Sequence, residues 1–206
     1  MSTALIVQRP SAAARQLVLL FHGVGSSAEH LRPLGQALAT HLPDAFVVSV
    51  QAPDGSDVGA GWQWFSVQGI TEANRPARVA ATLPRFVQTV QHWQQESGVA
   101  AADTTLLGFS QGAIMALEST QQPVPLAGRV VAIAGRYAQP ARLAPVGTRI
   151  HLLHGEADPV MPVRLGVEAQ ARLQALGVEA TLDRFPGLGH GIDARVLDRL
   201  VERMQA

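Results

Sequence analysis

The sequence contains no cysteine. That absence excludes a disulfide framework, a thiolate metal site and a cysteine nucleophile. Excess charge is missing as well, since 16 Lys and Arg balance 16 Asp and Glu. No local run of Lys or Arg supplies the electrostatic footprint that nucleic-acid binding requires, so no nucleic-acid partner is expected. Long apolar runs are also absent. No stretch approaches the roughly 20 apolar residues needed to cross a bilayer. The first ten residues, Met1 to Pro10, lack the basic start and long apolar run of a signal peptide, so a soluble cytoplasmic protein is expected.

What is present is ordinary globular material: 206 residues, 47% of them hydrophobic and 16% charged. The length suits one well-buried core and is short for two, so a single domain over residues 1–206 is expected. Short apolar runs alternate with longer helix-patterned segments, as in a mostly parallel sheet of about seven strands covered by helices on both faces. The strands are read at Ala4–Gln8, Gln16–Phe21, Phe46–Gln51, Thr104–Phe109, Arg129–Ala134, Arg149–His154 and Ala180–Phe185. Continuous apolar runs such as Leu17 to Phe21 and Val130 to Ala134 fit strands buried on both faces. Only the first strand, followed by Gln8-Arg9-Pro10, reads as an edge.

Helices are expected from Ser27 to about His41 and from Asn74-Arg75-Pro76 through Trp93, with a kink or break at Pro84. Others should start at Ser110, start near Pro162 and end at Gly177, and run from about Asp193 to Met204.

Gly108-Phe109-Ser110-Gln111-Gly112 follows an apolar strand and precedes helix-forming residues. This Gly-x-Ser-x-Gly turn is so tight that glycines are needed where a side chain would strike the neighbouring strand or helix, and it holds the serine at its apex. A serine hydroxyl needs a base to become a nucleophile, and the base needs a carboxylate to orient it, in the chain order Ser, acid, His. His22, His30, His41 and His92 precede the serine. His151 lies inside an apolar strand and reads as core, and His154 ends that strand as polar support for a turn. His190 stands in the glycine-rich loop Pro186-Gly187-Leu188-Gly189-His190-Gly191 and is the candidate base. Asp158, in the loop beyond a strand's carboxyl end, is the candidate acid, with Glu156 as a rival two residues away. Asp183 sits in a strand, and Asp193 and Asp198 read as helix-surface charges.

A tetrahedral intermediate needs two aligned N–H donors. The backbone of Gln111, at a helix start, is one candidate, and the backbone of Val24, in the turn His22-Gly23-Val24-Gly25, is the other. Trp62, Trp64 and Phe65 cluster in a glycine-rich loop. They form either a wall for the substrate's acyl or alcohol group or packing of that loop on the body. Trp64, Phe65 and Met161 are the candidate substrate-binding residues, and exposed aromatics in this loop leave room for a homodimer contact.

Together, Phe21-His22-Gly23-Val24-Gly25, Gly108-Phe109-Ser110-Gln111-Gly112, His154-Gly155-Glu156-Ala157-Asp158-Pro159-Val160-Met161-Pro162 and Gly189-His190-Gly191 resemble the small carboxylesterase, acyl-protein thioesterase and lysophospholipase family. The likeness spans nearly the whole chain with the motifs in order. It implies an α/β-hydrolase fold, the triad Ser110, Asp158 and His190, the oxyanion donors Val24 and Gln111, and neither metal nor cofactor. The family usually carries Trp-Phe-Asp where this chain has Trp64-Phe65-Ser66, so any role of that carboxylate does not carry over. With no insertion long enough for a cap domain, an open site hydrolysing small or short-chain acyl esters is expected. An acyl thioesterase or lysophospholipase, a lactone or C–C hydrolase, and a non-catalytic binding module on the same scaffold are the other readings.

Overall fold

The computed structural model describes residues 4–205. Among the described residues nine strands occur: β1 Ala4–Gln8, β2 Gln16–Phe21, β3 Ala45–Val50, β4 Asp54–Gly55, β5 Trp62–Gln63, β6 Thr104–Phe109, β7 Arg129–Ile133, β8 Arg149–Gly155 and β9 Ala180–Phe185. Five α-helices accompany them: α1 Arg32–His41, α2 Arg75–Ser97, α3 Gln111–Ser119, α4 Arg164–Ala175 and α5 Ala194–Gln205. Seven strands form one sheet in the order β1-β3-β2-β6-β7-β8-β9, while β4 and β5 make a separate hairpin. Within the seven-stranded sheet only β1 runs antiparallel to its neighbour.

The continuous apolar runs are explained by two cores, one on each face of the sheet. Leu17, Leu19 and Phe21 of β2 point into a core shared with Val79, Phe86 and Val90 of α2, most of α3, and Leu173 of α4. Val18 and Leu20 point the other way, toward Leu34 and Leu38 of α1 and Val196, Leu200 and Met204 of α5. A strand whose alternate residues enter two cores needs apolar side chains at every position. At the far edge the pattern changes. Strand β9 has half-buried Thr181 and Asp183 and an exposed Arg184. The sheet therefore has its second edge at β9, which the apolar first half of that segment had concealed.

Three boundaries moved for identifiable reasons. Strand β3 ends at Val50, and the side chain of Gln51 instead accepts the Ala28 N–H at 2.9 Å. Strand β7 stops at Ile133 because Ala134 takes a φ of 48°, which no strand residue adopts. Helix α4 starts at Arg164, so Pro162 precedes it rather than filling its first turn. Helix α2 runs unbroken through Pro84. Both Pro84 and Ala80, whose carbonyl loses its helical partner, are exposed, so water can take that place. Among the described residues no helix is long and apolar enough to cross a membrane.

Candidate active site

Between β6 and α3 the chain turns within one residue. Ser110 sits at φ 53°, ψ −114°, a region that non-glycine residues occupy only when their surroundings hold them there. The surroundings do so on every side. Its N–H donates to the Ile133 carbonyl at 2.9 Å, and its carbonyl accepts from Ile114 at 3.1 Å. A Cβ at Gly108 would strike the backbone of Gly112 and Ala113, and one at Gly112 would strike the Phe21 carbonyl oxygen. Strand, turn and helix thus touch through bare backbone, and the serine side chain is the part left to project.

Three loops at the carboxyl ends of the parallel strands meet this turn. His190, from the loop after β9, places Nε2 2.9 Å from Ser110 Oγ and donates from Nδ1 to Asp158 Oδ2 at 2.7 Å. Its ring packs against Phe109, with centroids 4.9 Å apart. Asp158, from the loop after β8, has a fully buried side chain. Its second oxygen, Oδ1, accepts the N–H groups of Val160 at 2.8 Å and Met161 at 2.9 Å. Buried and satisfied on both oxygens, this carboxylate fixes the imidazole tautomer with Nε2 free to accept a proton. Glu156 is turned outward into an ion pair with Arg184 at 2.8 Å.

The loop after β2 carries the turn at Val24. His22 is fully buried, donates from Nδ1 to the Gly23 carbonyl at 2.7 Å and accepts the Ala52 N–H on Nε2 at 3.0 Å. Burial pushes its pKa below the ordinary value, which keeps it neutral and suited to both bonds. Gly25 N–H donates to the Trp62 carbonyl and Ser26 N–H to the Gly23 carbonyl. Both are therefore occupied, whereas the N–H groups of Gly23 and Val24 have no such partner among the described residues. Gly23 packs so closely that a Cβ there would lie 3.1 Å from Ser110 Cβ. The Gln111 N–H is the first of α3, one of the donors that a helix start leaves unpaired. Gln111 thus adjoins the serine directly, and the turn before Val24 passes beside it at Gly23.

Several residues that sequence reasoning passed over hold these parts together. The Gln111 side chain accepts the Trp64 N–H and donates to the Phe65 carbonyl, each at 2.7 Å. It clamps the aromatic loop to the serine turn. Trp64 and Phe65 are 1% and 4% exposed, and the Trp64 indole packs on Phe21 and Phe86 while donating to the His22 carbonyl at 3.0 Å. They belong to the body of the protein, and the aromatic that faces solvent is Trp62, 42% exposed. Ser66, expected from the family resemblance to be a carboxylate, bonds to one instead. Asp57 accepts from the Ser66 hydroxyl and from the N–H groups of Val67 and Gln68. Met161 is half-buried between the two cores, with its backbone N–H on Asp158. His154, fully buried, is the penultimate residue of β8, and burial lowers its pKa. His151 is a core residue bonded to Thr181 at 2.8 Å, its pKa lowered to about 4 chiefly by burial.

A serine hydroxyl, an imidazole and a buried carboxylate in one hydrogen-bonded line are groups able to form and cleave an acyl-serine. Comparison with known proteins agrees with this chemistry. The phospholipase/carboxylesterase family model matches residues 2–206. Esterase YpfH of Escherichia coli K12 is 48% identical over 200 residues, spanning 97% of this chain and 86% of the relative. Acyl-protein thioesterase 1 of Neurospora crassa is 27% identical over 77% of this chain and 69% of its own. Among solved structures, esterase PE8 superposes with a TM-score of 0.89 at 31% identity, covering 99% of this chain and 97% of that one. The sheet and its helices are those of the α/β-hydrolase fold, and the chain belongs to the phospholipase/carboxylesterase family.

Proposed function

We propose that this chain is a serine carboxylesterase acting on small or short-chain acyl esters. Ser110 is the nucleophile, His190 the base, Asp158 the orienting acid, and the backbone N–H groups of Val24 and Gln111 the oxyanion donors. Its family and its likeness to Esterase YpfH make it an esterase, a hydrolase of ester bonds. The observation that carries the residue roles is the unbroken line from Ser110 Oγ through His190 to Asp158, with contacts of 2.9 and 2.7 Å. On this reading the sheet and its helices act as one catalytic domain.

The cycle runs as acyl transfer through a covalent ester. His190 Nε2 takes the proton from Ser110 Oγ as that oxygen attacks the substrate carbonyl, and the two backbone N–H groups receive the oxyanion. The imidazolium then protonates the departing alkoxide, and the alcohol leaves behind an acyl-serine. Water, deprotonated by the same nitrogen, attacks the acyl carbon. Collapse returns the proton to Ser110 and releases the carboxylic acid. Asp158 stays ionised throughout and stabilises the imidazolium. Two features support short acyl groups: among the described residues no domain covers the strand ends, and Phe65 is packed into the body of the protein.

A fluorophosphonate probe should label Ser110 with stoichiometry near one, and failure to label would point to a non-catalytic binding module. In a series of p-nitrophenyl esters kcat/KM should peak at short chains, and best turnover on palmitate would overturn that part. The thioesterase named among the relatives makes thioesters a second reading. Matched butyryl ester and butyryl thioester substrates decide between the two.

A further inference from the structure

All three tryptophans of the chain line one cavity of about 430 Å³. It opens at the carboxyl end of β3, where Ala52 forms part of its lining, and α2 supplies the opposite wall. Ser110, His190, Asp158, Val24 and Gln111 are not among its lining residues. Trp62 and Trp93 give it aromatic walls, with Trp64 beside them. Arg85 and His92 are the titratable groups in the lining, and no carboxylate lines it. The volume lies within the roughly 300–1,000 Å³ range of small-molecule sites.

The chemistry of the lining selects a ligand class. Indole faces favour a planar aromatic ring, in offset or edge-on contact. The Arg85 guanidinium, in a lining without a carboxylate, favours a carboxylate or other anionic group over an amine. Arg85 is paired with Asp54 at 3.1 Å, with both side chains about half exposed. Exposed pairs of this kind are weak, so a ligand anion can share the guanidinium. We propose that this cavity is a second binding site, separate from Ser110, for a small aromatic carboxylate.

The site is tied mechanically to the turn at Val24. The Trp62 carbonyl accepts the Gly25 N–H at 3.0 Å, and the Trp62 N–H donates to the Ser26 carbonyl at 2.9 Å. Trp64 extends the same link, through its indole N–H on the His22 carbonyl. A ligand stacked on Trp62 therefore bears on the segment that presents Val24, so occupancy acts on kcat rather than on substrate affinity. Binding itself is independent of the roles assigned to Ser110 and Val24. Only this coupling rests on them.

The test titrates 4-fluorophenylacetate into the Ser110→Ala variant, followed by ¹⁹F NMR and by intrinsic tryptophan fluorescence. Binding is expected with a dissociation constant of about 1 mM, ordinary for so small a ligand. Adding Trp62→Ala or Arg85→Gln should weaken it at least about tenfold, a single lost contact of 1.4 kcal/mol. Cyclohexylacetate should bind more weakly than the aryl acid, and wild-type protein labelled on Ser110 by fluorophosphonate should still bind. No binding, binding indifferent to both substitutions, or binding abolished by the Ser110 label would each overturn the proposal. Equal affinity for cyclohexylacetate would overturn the aromatic part. In wild-type assays the aryl acid should change kcat at saturating ester. Purely competitive behaviour would overturn the coupling while leaving the esterase assignment intact.

Discussion

The turn at Ser110 and the aromatic loop from Asp54 to Gln68 lie side by side and are built by opposite means. Backbone contact holds the first. Gly108, Gly112 and Gly23 let strand, helix and turn touch where any Cβ would crowd them. Side-chain hydrogen bonds hold the second. Gln111 clamps Trp64 and Phe65, Asp57 gathers Ser66, Val67 and Gln68, and Arg78 donates to the carbonyls of Ser66 and Gln68. Backbone contact tolerates no substitution but holds the nucleophile rigidly. Side-chain clamps act between segments, as Asp57 does in gathering residues 66 to 68.

The two regions should respond unequally to change, and the largest effect belongs to the serine. Ser110→Ala should lower kcat by about 10⁴-fold or more while leaving the melting temperature within a few degrees of the parent. An active alanine variant would remove the nucleophile assignment. Gly112→Ala should break the backbone-built region outright. The added methyl collides with the Phe21 carbonyl, at the centre of the sheet, so soluble yield and melting temperature should both drop sharply. A variant as stable as the parent would show that this close approach is not required.

Gln111→Ala tests the joint between the regions. It keeps the backbone N–H of residue 111 but leaves the buried Trp64 N–H and Phe65 carbonyl unpaired, at a cost of about 1–3 kcal/mol each. We expect kcat to fall about 10- to 100-fold through misplacement of the turn, with KM less affected. A KM effect alone would mean that the clamp serves binding instead. Asp57→Asn, in the exposed part of the loop, should give the smallest change, with kcat/KM within about threefold of the parent.

Acid should separate the regions in the same order. His22, beside the serine turn, and His151 and His154, in β8, have pKa values lowered chiefly by burial from the ordinary value of 6.5. The unfolded chain therefore binds protons that the folded one refuses, and stability falls as pH drops below about 6.5. The pKa of Asp57 is lowered, first by the Ser66 hydroxyl. Its contribution is complete above the ordinary 3.8 and is lost only as pH falls below that value. Melting curves should thus be level from pH 8 to about 6.5 and decline from there to 4.5, a profile that Asp57→Asn leaves unchanged. A flat profile would contradict the burial of neutral histidines.

The backbone-built region was legible because its constraints are local. A glycine two residues either side of a serine, after an apolar run, encodes the turn by itself. The order of Asp158 and His190 along the chain then follows from the connectivity of parallel strands. The clamped region was not legible. Nothing near Gln111 in sequence indicates a bond to residues 46 and 47 positions earlier. Nor does the sequence show that the apolar Trp64 and Phe65 are consumed in packing while Trp62 stays exposed. The same holds for β9, whose polar side chains mark an edge only once its neighbours are known.

Sequence alone therefore determined the class of fold, the serine turn and the set of groups able to act with it. Periodicity, glycine spacing and residue chemistry are properties of short segments. Tertiary structure decided which of the rival groups meet. It turned Glu156 outward onto Arg184, buried Asp158 beneath His190, and joined the aromatic loop to the serine turn through one glutamine. Those outcomes depend on distances between segments far apart in the chain, which only packing of the sheet and its two cores establishes.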